Sequence, residues 1–343
     1  MTRCNTFVRQ KRKKVSLRAG EICFGIFSIF CLLLILRNSE LAIGYMTRGL
    51  QLCAKTVVPS LFPFMVLSEL IVSGGLVERL PGFLTTPMQK IFDLPAAGCC
   101  AVLLGMLCGF PVGAKCTVLA YERQQLTKEE AEHALLFSNN PSSAFLISAV
   151  GISLWGNRAF GLTLYFTSII ISLFTGFLYR FLHKKKEESL PSMSFPLSKP
   201  TPLKGASLFT NAVRSAAGSI LLVCAYVVFF STLVGTLNLV LGSLHLPQTI
   251  QATVFCLFEL SGGVNQAATL SNAATGALLC AFATGWSGLS VHCQILSICD
   301  GKGLSFRSYF WAKLFQGFLC ALLFGILIGL FPTLLSNAKN CGY

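Results

Sequence analysis

Lys55, Glu69, Lys115, Arg214, Glu259, His292 and Lys313 are ionisable side chains that stand inside long apolar stretches of the sequence. A charge at the centre of a hydrocarbon layer costs roughly 2.5–3.5 kcal/mol on insertion scales, so each is a functional candidate by default. Lys55, Arg214 and Lys313 read as side chains that snorkel towards a helix end. Three of the others lie beside polar or helix-breaking strings. Lys115 follows Gly109-Phe110-Pro111-Val112-Gly113 by two residues and could attract an anion beside freed backbone N–H groups. Glu259 precedes Ser261-Gly262-Gly263 and, with Asn265, suits a coupling proton or cation. His292 and Gln294 follow Gly285-Trp286-Ser287-Gly288 within two turns, and an amide both donates and accepts. The string Ser138-Asn139-Asn140-Pro141-Ser142-Ser143 is too polar and too broken for helix packing alone. The candidate substrate-binding set is therefore Gly109, Pro111, Gly113, Lys115, Asn139, Asn140, Ser142, Ser287, His292 and Gln294, with Glu259 and Asn265 for ion coupling.

Several catalytic motifs fail on spacing. Gly109 to Lys115 is not a P-loop, because three residues rather than four separate the glycines and Cys116 stands where Ser or Thr is needed. Gly285-Trp286-Ser287-Gly288 resembles the GxSG string of rhomboid proteases. The only His after Ser287 is His292, in the same segment, and at about 100° per residue the two side chains diverge. The four His are far apart, and the 15 Cys contain no CxxC. No enzyme, metal or cofactor is expected, and the thiols read as small buried hydrophobes.

The elements that must carry these residues are membrane helices. The chain is 54% hydrophobic and 12% charged, with 29 Phe and a mean hydropathy of +0.69. A soluble domain carries about 25% charged residues, so this one lacks the polar side chains to cover a water-facing surface. The formal charge of +14 gathers at the N-terminus (Arg3 to Arg18) and in a connector from Arg180 to Lys204. Both flank apolar segments, which marks the cytoplasmic side rather than a nucleic-acid surface. The run Ile22–Leu36 lacks a cleavage site after it and reads as a first helix that is kept.

The expected organisation is a basic tail 1–20, a first transmembrane helix 21–38, a first repeat 44–182, a cytoplasmic linker 183–204, a second repeat 205–332 and a C-terminal tail 333–343. Pro59 and Pro63 make 44–75 either one kinked span or a re-entrant hairpin that dips to Pro59 and returns, and the hairpin is taken for the count of crossings. Segments 96–121, 134–154 and 159–182 are taken as crossings. Three short matches suggest duplication: Ile91–Leu94 with Leu257–Leu260, Gly109-Phe110 with Gly285-Trp286, and Glu122–Thr127 with Asp300–Ser305. Four crossings between the two basic regions would place both in the cytoplasm and invert the repeats. The fold class is all-α polytopic, with inverted repeats, broken helices and re-entrant hairpins.

At Gly109–Lys115, Asn139-Asn140-Pro141 and Gly285–Gln294 the sequence resembles the YlbJ-type sporulation integral membrane proteins, of the nucleoside-recognition gate superfamily related to concentrative nucleoside transporters. The likeness runs from about residue 40 to 332. It implies an outer forespore membrane protein that moves dipicolinic acid towards the spore. Asn140, Cys116 and Cys293 are departures beside the motifs. The expected function is a permease for this small organic anion working by alternating access; a nucleoside or nucleobase carrier and a non-transporting sporulation scaffold are the alternatives. The expected partners are an anionic solute and the lipid bilayer, with a homo-oligomer as an option and no nucleic acid.

Overall fold

The computed structural model describes residues 19–75, 80–183 and 205–335. The basic tail up to Arg18, the connector 184–204 and the tail 336–343 lie outside the described residues. Among the described residues every regular element is a helix: α1 (Ala19–Arg37), α2 (Ser39–Leu52), α3 (Val58–Ser73), α4 (Gly82–Phe92), α5 (Ala96–Cys108), α6 (Val112–Glu122), α7 (Lys128–Ser138), α8 (Arg158–Leu182), α9 (Ala206–Ser243), α10 (Gln248–Phe258), α11 (Leu260–Ala268), α12 (Ala273–Trp286), α13 (Gly288–Cys299) and α14 (Phe306–Leu330). Two π-helical segments, Cys53–Val57 and Phe145–Leu154, interrupt this series.

Arg158–Leu182, Ala206–Ser243, Ala273–Cys299 and Phe306–Leu330 are long and apolar enough to cross a bilayer. Their outward faces are apolar: Phe166, Ile170 and Phe174 form a stripe on α8, and Phe318, Leu322 and Ile326 one on α14. Such stripes at helical spacing would be a liability in water and are the normal surface in lipid. The molecule is an all-α polytopic membrane protein.

Residues 44–75 do not turn back. Helix α2, the π-helical stretch and α3 run on in one direction, antiparallel to the 38-residue α9. Tyr45 meets Gly235, Gly49 meets Val228 and Ser231, Cys53 meets Cys224, Glu69 meets Ser215, and Gly74 meets Leu208. Pro59 stands directly after the π-helical stretch, which absorbs a change of register, and Pro63 stands inside α3 without reversing the chain. Of the two readings of 44–75 the single kinked span therefore holds, and the hairpin taken for the count of crossings is corrected.

The fold-backs lie elsewhere. Helices α5 and α6 pack side by side about Gly109: a Cβ on Gly105 would stand 2.9 Å from the Gly113 Cα. Helices α10 and α11 do the same about Glu259, where a Cβ on Gly263 would stand 2.6 Å from the Cys256 Cα. Segment 96–122, expected to cross, is thus a hairpin, and 248–268 is a second. Each is followed by a broken helix (α7 with 145–154; α12 with α13) and then by a long unbroken one (α8; α14).

The two hairpins open towards opposite ends. At one end Lys302 pairs with Glu122, the Ser305 N–H donates to Glu132 Oε1 at 2.7 Å, and Arg180 donates to the Lys90 carbonyl. At the other, Asn157 Nδ2 donates to the Leu334 carbonyl at 3.0 Å, and Gly276 packs on the Ala267 carbonyl and Trp155. The first hairpin opens at the former end and the second at the latter. The short sequence matches proposed for the repeats are accordingly out of register. Glu122–Thr127 and Asp300–Ser305 touch one another, and Asp93 ends α4 in a left-handed conformation rather than forming a hairpin tip. By position, the tip at Gly109 answers that at Glu259, and the break at 139–142 answers Ser287.

Candidate functional site

Both hairpin tips and both helix breaks meet in the middle of the molecule. A buried cavity of about 70 Å³ is lined there by Phe110, Pro141, Ser142, Glu259, Leu260, Ser261, Ser290, Val291 and Gln294, with Leu52, Val57, Leu61, Phe145, Val223 and Val227 closing its sides. Four helices begin at it. Phe110 precedes α6, Ser142 precedes the helix that continues as 145–154, Leu260 and Ser261 open α11, and Ser290 lies in the first turn of α13. Each helix N-terminus carries roughly +0.5 of an elementary charge, but α5, α7, α10 and α12 end at the same tips and breaks with roughly −0.5 each, so the two sets largely cancel. No Lys or Arg is among the described residues that line it.

The first tip and break are tied together by backbone. The Phe110 N–H donates to the Asn140 carbonyl at 2.8 Å, and the Ala114 N–H donates to Asn139 Oδ1 at 2.8 Å. The Asn139 amide nitrogen donates to the Leu135 carbonyl at 3.1 Å, and that of Asn140 to Phe137 at 3.0 Å. Gly105 and Gly113 let the Ser138 carbonyl come close: a Cβ on either would lie within 2.0 Å of its oxygen. Asn139, Asn140 and Gly113 therefore hold the break together, and among the candidate residues of this half Ser142 faces the cavity. Its hydroxyl caps the next helix by accepting from the Phe145 N–H at 3.2 Å. Gly109, at φ 84°, and Pro111, after a cis Phe110–Pro111 bond, shape the tip.

The second pair is joined more sparely. Gly288, at φ 78°, sits against the backbone of Glu259 and Leu260, and Trp286 Nε1 donates to the Leu257 carbonyl at 2.9 Å. The break is at Ser287 and Gly288 rather than at Gly285, whose lack of a side chain admits Gln316 and Gly317 of α14. Glu259 caps α11, its carboxylate accepting from the Ser261 N–H at 2.9 Å and from the Gly262 N–H. It stands between the cavity and a vestibule of about 490 Å³ that is also lined by Tyr45, Arg48, Asn265 and Gln266. Asn265 belongs to that vestibule rather than to the cavity.

His292 does not line the cavity; its ring lies 4.2 Å from that of Trp286, tilted by 43°, with Nε2 on the Trp286 carbonyl at 3.0 Å. A carbonyl only accepts, so Nε2 carries the hydrogen and Nδ1 is left as an acceptor. Among the described residues, Ser287 Oγ, Ser290 Oγ, His292 Nδ1 and Gln294 Oε1 are buried without a hydrogen-bond partner. Ser290 and Gln294, four apart, share one face of α13, and both line the cavity.

Lys115 is not at the cavity. Its ammonium pairs with Glu69 at 3.1 Å, and Ser73 and Ser215 donate to the same carboxylate at 3.1 Å each. Arg123 adds bonds to the Val72 carbonyl and to Ser73 Oγ, so α3, α6 and α9 are tied together on the connector side. A cation so neutralised has no charge left for a substrate anion. Lys55 and Arg214 are exposed, as snorkelling side chains would be, but Lys313 is fully buried. Phe110, Ser261 and Ser290 were not singled out from sequence, although Ser261 and Ser290 each lie within four residues of a candidate. Among the described residues no group of His, Cys, Asp and Glu is placed to hold a metal ion.

In this all-α membrane protein the hairpin tips and helix breaks thus meet at one small, mainly apolar cavity that carries a few polar groups. The chain is similar to the sporulation integral membrane protein YlbJ of Bacillus subtilis, 27% identical over 336 residues that cover 89% of this chain and 82% of that protein. This likeness supports a YlbJ-type assignment. No family model matches the chain, and no solved structure matches it.

Proposed function

We propose that this protein is a sporulation membrane carrier for a small organic anion, with dipicolinate, moved across the outer forespore membrane, as the substrate. The sporulation role rests on the name of its relative. The observation that supports the transport reading is the meeting of two hairpin tips and two helix breaks on one cavity whose Ser290 hydroxyl and Gln294 amide oxygen are unpartnered. Protonation of Glu259 would remove the negative charge of the carboxylate that lines the cavity, which suits a carrier that moves proton and anion together. With the basic connector read by the positive-inside rule, this reading takes the Glu122–Lys302 end as cytoplasmic. The vestibule at Arg48 then faces the opposite side, and the Lys115–Glu69 cluster closes the cytoplasmic route.

One observation favours a second reading. With hydroxyls, an amide and a carboxylate at the cavity and no lysine or arginine, a neutral nucleobase or nucleoside would also find its hydrogen bonds met.

The test uses Bacillus subtilis lacking YlbJ and complemented with this chain, as wild type or as Gln294→Leu or Ser290→Ala at matched protein levels. Spore and mother-cell dipicolinate are measured separately, together with its synthesis. The carrier reading expects wild-type cells to fill their spores and both variants to leave dipicolinate in the mother cell. Variants that fill spores as well as wild type would move the scaffold reading ahead.

A further inference from the structure

Lys313 is a buried charge that the cavity does not use. It stands in the second turn of α14, is 0% exposed, and among the described residues forms no ion pair with a carboxylate. Its ammonium donates to the Asn139 carbonyl and to Gln316 Oε1 at 2.9 Å. Gln316 is itself oriented, because its Nε2 donates to the Leu136 carbonyl at 2.9 Å. Asn139 is the C-terminal cap of α7, in extended conformation, and Pro141 two residues on prevents the helix from continuing. The break therefore frees a main-chain oxygen at the negative end of a helix, in the interior of the protein.

An ammonium buried without a counter-ion is costly unless its surroundings supply other compensation. Here that compensation is one freed main-chain oxygen, one side-chain amide oxygen and a helix C-terminus. Neutral oxygens at an unwound helix and a half-helix C-terminus are the donors with which membrane carriers hold a small coupling cation. We propose that the Lys313 ammonium is a tethered cation filling an alkali-metal-type site at the first helix break, so that this site keeps its positive charge without binding a free metal ion. The proposal predicts that removing the side chain creates a site for a free small cation.

Thermal unfolding of the purified full-length chain in detergent tests this and needs no transported substrate, so it stands apart from the transport reading. Wild type, Lys313→Ala and Lys313→Met are melted in choline, sodium, lithium and methylammonium chloride at equal ionic strength. Wild type is expected to melt at the same temperature in all four. Lys313→Ala is expected to melt several degrees lower in choline and to regain at least half of the loss in methylammonium or in a small alkali cation. Lys313→Met keeps the packing without the charge and is expected to be destabilised in choline. Should Lys313→Ala not fold, Lys313→Met decides: stability equal to wild type in choline would overturn the proposal. Lys313→Ala unmoved by every small cation, or wild type stabilised as much as the variant, would overturn it as well.

Discussion

At the junction of Gly109 with Asn139–Ser142, the tip and the break share main-chain and amide hydrogen bonds, two glycines clasp one carbonyl, and Lys313 covers another. At the junction of Glu259 with Ser287–Gly288, the contact is one glycine against backbone plus one indole hydrogen bond, and four polar side-chain atoms beside it are unpartnered. The same parts, a hairpin tip against a broken helix, are thus finished in two ways. A break whose polar groups are spent on itself is a fixed wall. One whose groups are left over can be completed by a solute, at the cost of desolvating them when none is there. On the proposed function, the first junction carries stability and the second recognition.

The most damaging way to break this contrast is Gly113→Val. Its Cβ would lie 2.0 Å from the Ser138 carbonyl oxygen, so the hairpin cannot close and no monodisperse protein is expected from size-exclusion chromatography. Asn139→Leu comes next. It leaves the buried Ala114 N–H unpaired and is expected to cost about 2–4 kcal/mol, read as a fall in melting temperature. Lys115→Met strands Glu69 in a mostly buried place and should cost about 1–3 kcal/mol. A double-mutant cycle with Glu69→Gln would return part of that loss if the pair is coupled as described. Smallest in stability is Ser290→Ala, expected within about 0.5 kcal/mol of wild type because its hydroxyl has no protein partner to lose. If Asn139→Leu melted like wild type and Ser290→Ala did not, the two junctions would have to exchange roles.

The sequence made the breaks legible, because strings such as Ser138–Ser143 and Ser287-Gly288 have no place in an uninterrupted membrane helix. It did not show which broken segments fold back. Pro59 and Pro63 look more disruptive than Gly109, yet Pro59 follows a π-helical stretch and Pro63 stands inside α3 without reversing the chain, whereas Gly105 and Gly113 allow two helices to close on each other. Glu259 was visible as a buried carboxylate, but its capping of α11 is a matter of backbone direction. Lys115 and Lys313 exchanged apparent roles because the decisive facts are tertiary. Glu69 lies on another helix, and the Asn139 carbonyl is free only once α7 has broken. Ser290 was passed over because a lone serine in an apolar helix normally bonds back to its own backbone. The repeat register slipped for a related reason, since apolar segments match one another in many alignments while hairpin tips match only in space.

Reconstitution tests the central claim most directly. Proteoliposomes carrying wild type, Ser290→Ala or Gln294→Leu would be assayed for uptake of labelled dipicolinate, with uridine as competitor and a melting curve for each preparation. The account predicts saturable dipicolinate uptake by wild type that uridine leaves unchanged. Losing one buried hydrogen bond to the solute should reduce uptake by about tenfold in each variant, with melting curves little altered for Ser290→Ala. Saturable uptake by both variants at the wild-type rate, or none by a well-folded wild type, would contradict it.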